Sequence, residues 1–346
     1  MTHRLALIGF GTVGQALTEI LQDKKEELLM GEGLDVQITA VADPIKGCLY
    51  HPEGLDTGEL LRQVEERGNL DQYPDSPGLE RGWDSFRTIR ESNADTVIEV
   101  SYTDGKTGQP AIDHCKAAFE SGKNVVMTNK GPVALAYREL SLLAECHGVR
   151  WGFEGTVMSG TPTLRLARSA LRGNEITRIR GIFNGTTNFI LARMEDGIPF
   201  GEALVEAQKQ GIAEADPTSD MDGTDVLFKV LILSQVVLGV PLDRDQVECR
   251  GIRSLSGTEV QRARQGGKRW KLLGQLQREG KRVTASVQPV LLPLSDPLAG
   301  VTGTMNAVTY QCDLAGPVTL VGAGAGRKET GYALLSDLLH MVKGHP

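Results

Sequence analysis

The chain has 346 residues, a formal net charge of -7 and 40% hydrophobic residues. This length suggests two domains, with enough residues for substantial hydrophobic cores. The negative balance and the lack of a long basic block argue against nucleic acid or an anionic membrane as a partner. The Arg- and Lys-rich stretch 253–271 is interpreted as a solvated loop, and small anionic or zwitterionic ligands fit the composition.

The five cysteines stand far apart without a C-x-x-C pair, which fits reduced thiols in a cytosol better than a disulfide framework. The six histidines show no paired metal-ligand spacing, so we expect no structural zinc. The N-terminal apolar stretch is too short for a signal peptide, and the apolar run 230–240 is too short to span a bilayer. We therefore expect a cytoplasmic protein that binds neither membrane nor nucleic acid.

A glycine-rich turn lies near the start of the chain. The residues 5–8 predict a buried strand, and GFGTVG follows at 9–14 before a helical pattern. A strand, a glycine-rich turn and a helix in this order seat a pyrophosphate on the helix N-terminus. The alternative is a tight turn in an unrelated α/β protein. The predicted cofactor-binding residues of the turn are Gly9, Phe10, Gly11, Thr12, Val13 and Gly14.

The second predicted strand, 36–42, ends at Asp43, where this fold usually carries the acid that bonds the adenosine ribose hydroxyls. Asp43 favours NAD, whereas the nearby Lys46 favours the 2′-phosphate of NADP, so the sequence leaves this choice open. Residues 44–80 are interpreted as an insertion around one short helix over the adenosine side.

Two polar turns follow predicted strands further along. SYTDGKTGQP at 101–110 follows strand 96–100, and TNKGP at 128–132 follows strand 124–127. Open α/β sheets bind ligands beyond the carboxyl ends of their strands. Ser101, Thr103 and Lys130 are therefore candidate cofactor contacts, and the alternative for Lys130 is an ordinary surface lysine.

The acidic segment 211–230 leads into a strongly apolar run with one lysine. Asp225 and Lys229 are four residues apart, so a helix places them on one face. A buried lysine must be paired or used, because desolvation lowers its proton affinity. The residues alone leave two interpretations open, a general acid/base lysine or a structural ion pair.

Three further turns stand out in the later part of the chain. EGTVMSGTP at 154–162 indicates close backbone approach to a ligand or a cation. NGTT at 184–187 opens a helix, and helix N-termini hold carboxylates well. Beyond residue 240 the pattern turns to β, at 270–276, 283–291 and 306–311. The last turn, GAGAG at 322–326, contains Gly324 and either faces the cofactor or is a tight connection.

With these motifs in place, the chain resembles the homoserine dehydrogenases over almost its whole length and in the family's order. The segment AEADPTSDMDGTDVLFK at 213–229 is highly specific for that family, whereas the glycine motif alone is not. The other shared stretches are GFGTVG, TGQPA at 107–111, VVMTNKGP at 125–132, EGTVMSGTP, IRGIFNGTTNFIL at 179–191, PLAGVTGTMNAV at 297–308, GAGAG and SDLL at 336–339.

The resemblance implies hydride transfer between homoserine and aspartate semialdehyde with NAD or NADP, in threonine and methionine biosynthesis. The expected fold class is α/β, a Rossmann-type nucleotide-binding domain with a second α+β domain for substrate binding and dimerisation. We expect the first domain at 1–150, completed by 318–346, and the second at 151–317. A homodimer formed through the β-rich part is also implied.

The resemblance further implies roles for individual residues. Lys130 and Lys229 are the candidate acid/base lysines beside the reacting oxygen, and Asp225 orients or holds the substrate. Glu214 and Asp220 bind its amino and hydroxyl ends. The NGTT turn supplies hydrogen-bond donors, namely Asn184, Gly185 and Thr186. A sodium-like cation is implied at Glu154 and at backbone carbonyls of Val157, Ser159 and Thr161.

The chain departs from the family at two points. Met158 and Ser159 stand where many members have glycines, and no regulatory domain follows the SDLL helix, so we expect no feedback through one. Two other functions are kept as alternatives: a related dehydrogenase of another small amino or hydroxy acid, and a non-catalytic nucleotide-sensing protein.

Overall fold

The computed structural model describes residues 2–343. Its contacts divide the chain into two compact units. The first is formed by the residues up to Gly160 together with those from Gly326 onwards, and the second is Thr161–Ala325. Each unit is built around one extended sheet.

The first unit contains a seven-stranded sheet in the order β4-β3-β2-β1-β5-β6-β7. Strands β2, β1, β5, β6 and β7 are parallel. The strands are β1 (Thr2–Ile8), β2 (Asp35–Asp43), β3 (Gly47–Tyr50), β4 (Glu80–Arg81), β5 (Thr96–Glu99), β6 (Asn124–Met127) and β7 (Trp151–Gly152). The helices are α1 (Thr12–Asp23), α2 (Lys25–Glu32), α3 (Thr57–Arg67), α4 (Ser85–Glu91), α5 (Ala111–Glu120) and α6 (Lys130–Cys146).

The central strands are continuously apolar because both faces of a parallel sheet are covered. In β1, Leu5 and Leu7 are completely buried, and both belong to a core that includes Leu17 of α1 and Ile38 of β2. The predicted Rossmann-type α/β class is confirmed by this sheet.

The insertion 44–80 contains more regular structure than one helix. Besides α3, it forms β3 and β4, which extend the sheet by antiparallel pairing, with Ala40 opposite Tyr50. Both strands are too short for a local periodicity to indicate them, and β4 also pairs with a strand that lies far from it in sequence, whereas β3 follows β2 directly.

The second unit contains a six-stranded sheet in the order β13-β12-β8-β10-β11-β9. Its strands are β8 (Ile176–Ile182), β9 (Val247–Cys249), β10 (Lys268–Glu279), β11 (Arg282–Pro293), β12 (Met305–Cys312) and β13 (Pro317–Ala323). Its helices are α7 (Thr163–Arg165), α8 (Gly185–Glu195), α9 (Phe200–Lys209), α10 (Thr218–Met221), α11 (Thr224–Val237) and α12 (Gly257–Gln265). The C-terminal helix α13 (Arg327–Lys343) belongs to the first unit and packs on α1.

The interpretation of 253–271 as a solvated loop was wrong for most of this stretch. It contains α12, and β10 begins before it ends. Ser256 and Glu259 form a capping box at the start of α12, and Val260 and Ala263 are buried three residues apart. The S-x-x-E pattern was the available signal for this helix, and the Arg residues obscured it.

Candidate active site

The glycine turn between β1 and α1 requires two of its glycines for steric reasons. Gly9 has φ +98°, and a Cβ there would lie 2.6 Å from the Val100 carbonyl oxygen. A Cβ on Gly14 would lie 2.7 Å from the Gly9 carbonyl oxygen. Gly11 caps α1 without a side chain and faces open space, and Thr12 and Val13 begin the helix. The first amides of α1 are thus accessible to an anion, which fits a pyrophosphate.

Asp43 ends β2 and is attached to the glycine turn. Its Oδ2 accepts the Phe10 amide at 2.7 Å, and its Oδ1 accepts the amides of Ile45 and Lys46, both at 2.9 Å. Each carboxylate oxygen has two lone-pair sites. Oδ1 is therefore saturated, whereas Oδ2 retains one acceptor site that fits a ribose hydroxyl.

The turns that follow β5 and β6 pack directly on each other. A Cβ on Gly131 would lie 2.7 Å from the Cα of Gly108 and 2.9 Å from the Thr103 methyl group. Lys130 is the first residue of α6 and is half-buried. Two of the predicted cofactor contacts, Thr103 and Lys130, thus lie where the two turns meet. The third, Ser101, is joined to the second turn by a hydrogen bond from Asn129.

A buried carboxylate that the sequence analysis gave no role joins these turns. Glu99, the last residue of β5, is completely buried. Its Oε1 accepts hydrogen bonds from the Ser101 hydroxyl and pairs with His114 Nδ1 at 3.2 Å, while its Oε2 accepts from Asn129 Nδ2. Asn129 Nδ2 also donates to the Ser101 carbonyl at 2.9 Å. The available signal was a carboxylate inside an otherwise apolar strand.

In the second unit, Asn184 joins two acidic residues of the 211–230 segment, Asp220 and Asp225. Its Nδ2 donates to Asp220 Oδ1 at 2.7 Å and to Asp225 Oδ2 at 3.0 Å. Its Oδ1 accepts the Thr187 amide at 2.8 Å, so the same side chain caps α8. One amide therefore holds two carboxylates at a helix N-terminus.

Lys229 lies in the same cluster. Its Nζ donates to Asp225 Oδ2 at 2.8 Å and to the Phe183 carbonyl at 2.5 Å, and only 6% of the residue is exposed. The helix α11 that carries it is apolar on every side, as the sequence indicated, because its core residues from Val226 to Leu233 are all buried. The expected proximity of Asp225 and Lys229 is present.

The acidic residues of this cluster repel one another. Burial, and then the charge of Asp225, raise the pKa of Asp220 above its usual range. Hydrogen bonds from Asn184 and Thr186 oppose that rise. Thr186 also donates its hydroxyl to the Ile212 carbonyl at 3.0 Å, which ties the NGTT turn to the acidic segment. A cationic ligand group would relieve this repulsion.

Two further predicted substrate residues are Glu214 and Gly185. The Glu214 side chain is exposed and takes no part in the hydrogen bonds of Asn184, whereas its carbonyl accepts Gln208 Nε2 at 3.2 Å. Gly185 has no room for a side chain, because a Cβ would lie 2.6 Å from the Thr304 carbonyl oxygen.

The EGTVMSG stretch has an unusual backbone. Met158 and Ser159 have φ +61° and +52°, values that favour glycine. The chain thus keeps a glycine-type conformation with two larger residues, and Ser159 hydrogen-bonds the Thr330 hydroxyl at 2.8 Å. Glu154 is buried, and its amide donates to Asp337 Oδ2 at 2.9 Å. Val157 donates its amide to the Glu154 carbonyl at 3.3 Å.

In the second unit, Thr161 donates its hydroxyl to the Ala323 carbonyl at 2.9 Å. Close by in sequence, Gly324 is required by Asn306, since a Cβ would lie 2.0 Å from the Asn306 side chain. Asn306 is completely buried, and within residues 2–343 its amide has no hydrogen-bond partner. A close backbone approach therefore accounts for this glycine.

Residues 2–343 contain neither a metal-binding cluster nor a helix suited to span a membrane. No group of three or more His, Cys, Asp or Glu is arranged to hold a metal ion. No helix there combines the length and the apolar character needed to cross a membrane.

Comparison with known families gives two consecutive matches. The family model described as "Homoserine dehydrogenase, NAD binding domain" matches residues 9–154, and the model described as "Homoserine dehydrogenase" matches residues 162–339. Together they contain every residue assigned above to the cofactor or the substrate.

Individual relatives agree with the family models. An NAD(+)-dependent homoserine dehydrogenase of Pseudomonas canavaninivorans is 42% identical over 98% of this chain and 96% of its own length. A homoserine dehydrogenase of Methanocaldococcus jannaschii is 38% identical over 97% of this chain and 98% of its own.

Solved structures are similar over the full length. A putative homoserine dehydrogenase from Archaeoglobus fulgidus has a TM-score of 0.87 at 36% identity, covering 98% of both chains. A hyperthermophilic archaeal homoserine dehydrogenase in complex with NADPH has a TM-score of 0.85 at 30% identity, covering 100% of this chain and 99% of that one. The chain therefore belongs to the homoserine dehydrogenase family, the NAD(P)-dependent oxidoreductases that act on the CH–OH group of homoserine.

Proposed function

We propose that Lys229 is the acid/base residue for the interconversion of L-homoserine and L-aspartate 4-semialdehyde, and that the cluster of Asn184, Asp220, Asp225 and Lys229 holds the substrate. The observation that carries this proposal is the buried ammonium of Lys229, bonded to Asp225 Oδ2 and to the Phe183 carbonyl. The family places the reaction in threonine and methionine biosynthesis.

The hydrogen-bond count of Lys229 supports a catalytic role over a purely structural one. An ammonium has three N–H donors, and its two protein acceptors leave the third for the substrate oxygen. In the oxidation, neutral Lys229 removes the hydroxyl proton of homoserine; in the reduction, the ammonium returns it. Asp225 keeps Nζ in place in both directions. The bound nicotinamide ring supplies the hydride acceptor or donor.

The charges of the cluster support an amino-acid substrate. Burial is the main cause of the raised pKa of Asp220, and the charge of Asp225 adds to it; the ammonium group of homoserine would offset both effects. Glu214 is a weaker candidate for the same role because its side chain is exposed. The first turn of α8, at Gly185 and Thr186, offers donors for the substrate carboxylate.

Lys130 is the second candidate for the proton transfer. It lies at the start of α6, next to a turn that packs on the Thr103 loop. Kinetics of the two lysine variants would distinguish the assignments, since the lysine that transfers the proton controls kcat.

The cofactor turn favours NAD over NADP. Asp43 Oδ2 offers one acceptor site to a ribose hydroxyl, whereas a 2′-phosphate would be repelled by the carboxylate. The 42% identical relative is described as NAD(+)-dependent, although a structural neighbour binds NADPH. Replacing Lys46 with Ala should leave kcat/KM for NAD unchanged within roughly twofold. A large loss with NADP only would mean that Lys46 recruits the phosphate.

A cation site is proposed in the turn after Glu154, where Met158 and Ser159 keep a glycine-type backbone. One carboxylate together with backbone carbonyl oxygens would suit a hard cation. Comparing turnover in sodium with turnover in a bulky organic cation at equal ionic strength tests it. Equal rates would exclude a required sodium ion.

A homodimer is supported by one face of the second sheet. Arg178, Arg180, Thr309, Gln311 and Thr319 point to the same side, because they are directly paired across β8, β12 and β13. Arg178 and Thr319 are exposed there. Light scattering should give twice the chain mass, and Thr319→Lys on this face should shift it towards the monomer. A monomeric parent protein would overturn the assignment.

Cytoplasmic location is proposed because the five cysteines are free thiols. The assay that tests the main function monitors nicotinamide absorbance with homoserine and either nucleotide in parallel. Absence of homoserine-dependent reduction of both nucleotides would overturn it. Faster turnover of another small hydroxy acid would favour a related dehydrogenase, and tight nucleotide binding without turnover would favour a nucleotide sensor.

A further inference from the structure

Glu99 is a buried carboxylate that no step above uses. It ends β5 with no exposed surface, and burying a charge is unfavourable unless hydrogen bonds satisfy it. Three side chains do so: Ser101 and His114 at Oε1, and Asn129 at Oε2. An ionised carboxylate only accepts hydrogen bonds, so it fixes which way each partner points.

Asn129 transmits this constraint to α6. It occupies the N-cap position of that helix, yet its side chain does not cap it. Instead, Nδ2 is directed to Glu99 and to the Ser101 carbonyl. Because Lys130 is the next residue, the first turn of α6 is attached to the end of β5 through Asn129.

The opposite turn is fixed by the same carboxylate. Ser101 donates its hydroxyl to Glu99, and the loop that follows contacts α6 at Gly108 and Gly131, where no side chain fits. Neither turn can shift without disturbing the other.

We infer that Glu99 is a positioning residue of the reaction, which sets the start of α6 and thereby the location of Lys130. The inference rests on the proposed role of Lys130. The competing explanation is a structural pair with His114, whose Nε2 contacts the Ser85 hydroxyl at 2.9 Å. A structural pair predicts loss of stability without a specific effect on kcat.

The test compares Glu99→Gln and Asn129→Ala, each in the parent chain and combined with Lys130→Ala. Glu99→Gln keeps the shape but replaces one acceptor with a donor. In the parent chain we expect kcat for homoserine to fall about 10- to 100-fold, with the homoserine KM within roughly threefold. In the Lys130→Ala chain the same changes should alter kcat by less than about twofold, because residues that act as a unit are not additive.

Ser85→Ala is the matched control, since the Ser85 hydroxyl contacts His114 at Nε2, whereas Glu99 pairs with Nδ1; it should keep kcat within roughly twofold. Thermal unfolding shows whether each variant folds. If Glu99→Gln does not fold, Asn129→Ala tests the inference. A folded Asn129→Ala or Glu99→Gln chain with normal kcat, or an equal loss in both backgrounds, overturns the inference. Lys130→Ala alone reports on the role of Lys130: if it is fully active, that role and the positioning role of Glu99 both fail while the assignment of Lys229 stands, whereas a slow Lys130→Ala with a normal Glu99→Gln removes only the positioning role.

Discussion

The two units each present a lysine, but they hold it in different ways. In the second unit Lys229 is 6% exposed and bonds a carboxylate directly, Asp225, at 2.8 Å. In the first unit Lys130 is half-buried, and the carboxylate nearby, Glu99, bonds its neighbour Asn129. The ion pair with Asp225 thus fixes the Lys229 ammonium directly, whereas the contacts of Asn129 fix the start of the helix on which Lys130 lies.

This difference shows two ways in which a fold can fix the position of a lysine. A direct pair fixes Nζ and holds its charge, but it requires burial and a second acceptor, here the Phe183 carbonyl. The contacts of Asn129 with Glu99 instead fix the backbone at the start of α6, from which the Lys130 side chain extends. We therefore expect substitutions at the two sites to differ in size and in the kinetic parameter they change.

The largest expected effect is that of Lys229→Met, which should lower kcat about 10³-fold, because it removes the acid/base group. Nucleotide affinity should change by less than roughly twofold, because Lys229 belongs to the substrate side. The comparison predicts a smaller loss for Lys130→Met. Steady-state kinetics with nucleotide titration measure both, and a larger loss at Lys130 would reverse the assignment.

Asp220→Asn should raise the homoserine KM about 10- to 100-fold, since one charge-assisted hydrogen bond to the substrate ammonium is lost. The free energy of unfolding, by contrast, should not fall at neutral pH. The pKa of Asp220 is raised in the folded chain, so the folded state binds its proton more tightly than the unfolded state. The favourable contribution of the protonated form is lost as pH rises through the folded pKa.

At neutral pH the Asn variant should therefore be at least as stable as the parent, and its advantage should vanish in acid. Urea unfolding at both pH values measures this. A variant that loses stability at neutral pH would show that the carboxylate holds the cluster together.

Lys271 sharpens the comparison because it is a second buried lysine of the second unit, without a directly bonded carboxylate. Its Nζ bonds Asn188 Oδ1 at 2.8 Å and the Val301 carbonyl at 2.6 Å. Burial is the main cause that lowers its pKa from 10.5 to about 8. Between these values the unfolded state binds more protons, so the free energy of unfolding rises with pH, by up to about 1.4 kcal/mol per unit.

Lys271→Met should remove this rise in the free energy of unfolding. Urea unfolding of the parent and the variant between about pH 7.5 and 10, roughly the window between the two pKa values, measures the difference. As a control for Lys229→Met, Lys271→Met should lower kcat by well under tenfold. A loss as large as that of Lys229→Met would mean that any buried lysine of this unit is needed for activity.

The smallest expected effect is that of Ser159→Gly. Relief of the positive φ at this residue opposes the loss of its hydrogen bond to Thr330 and the greater freedom of glycine when unfolded. The net change in the free energy of unfolding should be within roughly 1 kcal/mol. In contrast, Gly9→Ala must displace the Val100 carbonyl, so it should cost more than about 2 kcal/mol. Equal effects would show that the turn after Glu154 is not strained.

The sequence predicted the elements whose signals are local. The strand, glycine turn and helix at the start of the chain follow from apolar runs and glycine spacing, and the proximity of Asp225 and Lys229 follows from the helical repeat. The role of Asp225 and Lys229 in the reaction stays a prediction, since the residues are in place but nothing yet measures what they do.

Other features depend on partners distant in sequence. The role of Glu99 could not be predicted, because its three partners come from a turn, a helix and a second turn that meet only when β5 and β6 pair. Strand β4 was missed for the same reason, whereas β3 follows its partner β2 directly and was missed because it has only four residues. The exposure of the Glu214 side chain also depends on how the acidic segment turns, which residue types do not specify.

By itself, then, the sequence determined the α/β class, the position of the cofactor turn and the spacing of Asp225 and Lys229, because backbone sterics and helical periodicity act between near neighbours. Only the tertiary structure decided which carboxylates meet at Asn184, and that Glu99 holds the two turns together. Hydrogen bonds between distant segments, such as that between Asn184 and Asp225, which are 41 residues apart, form only where packing brings the segments into contact.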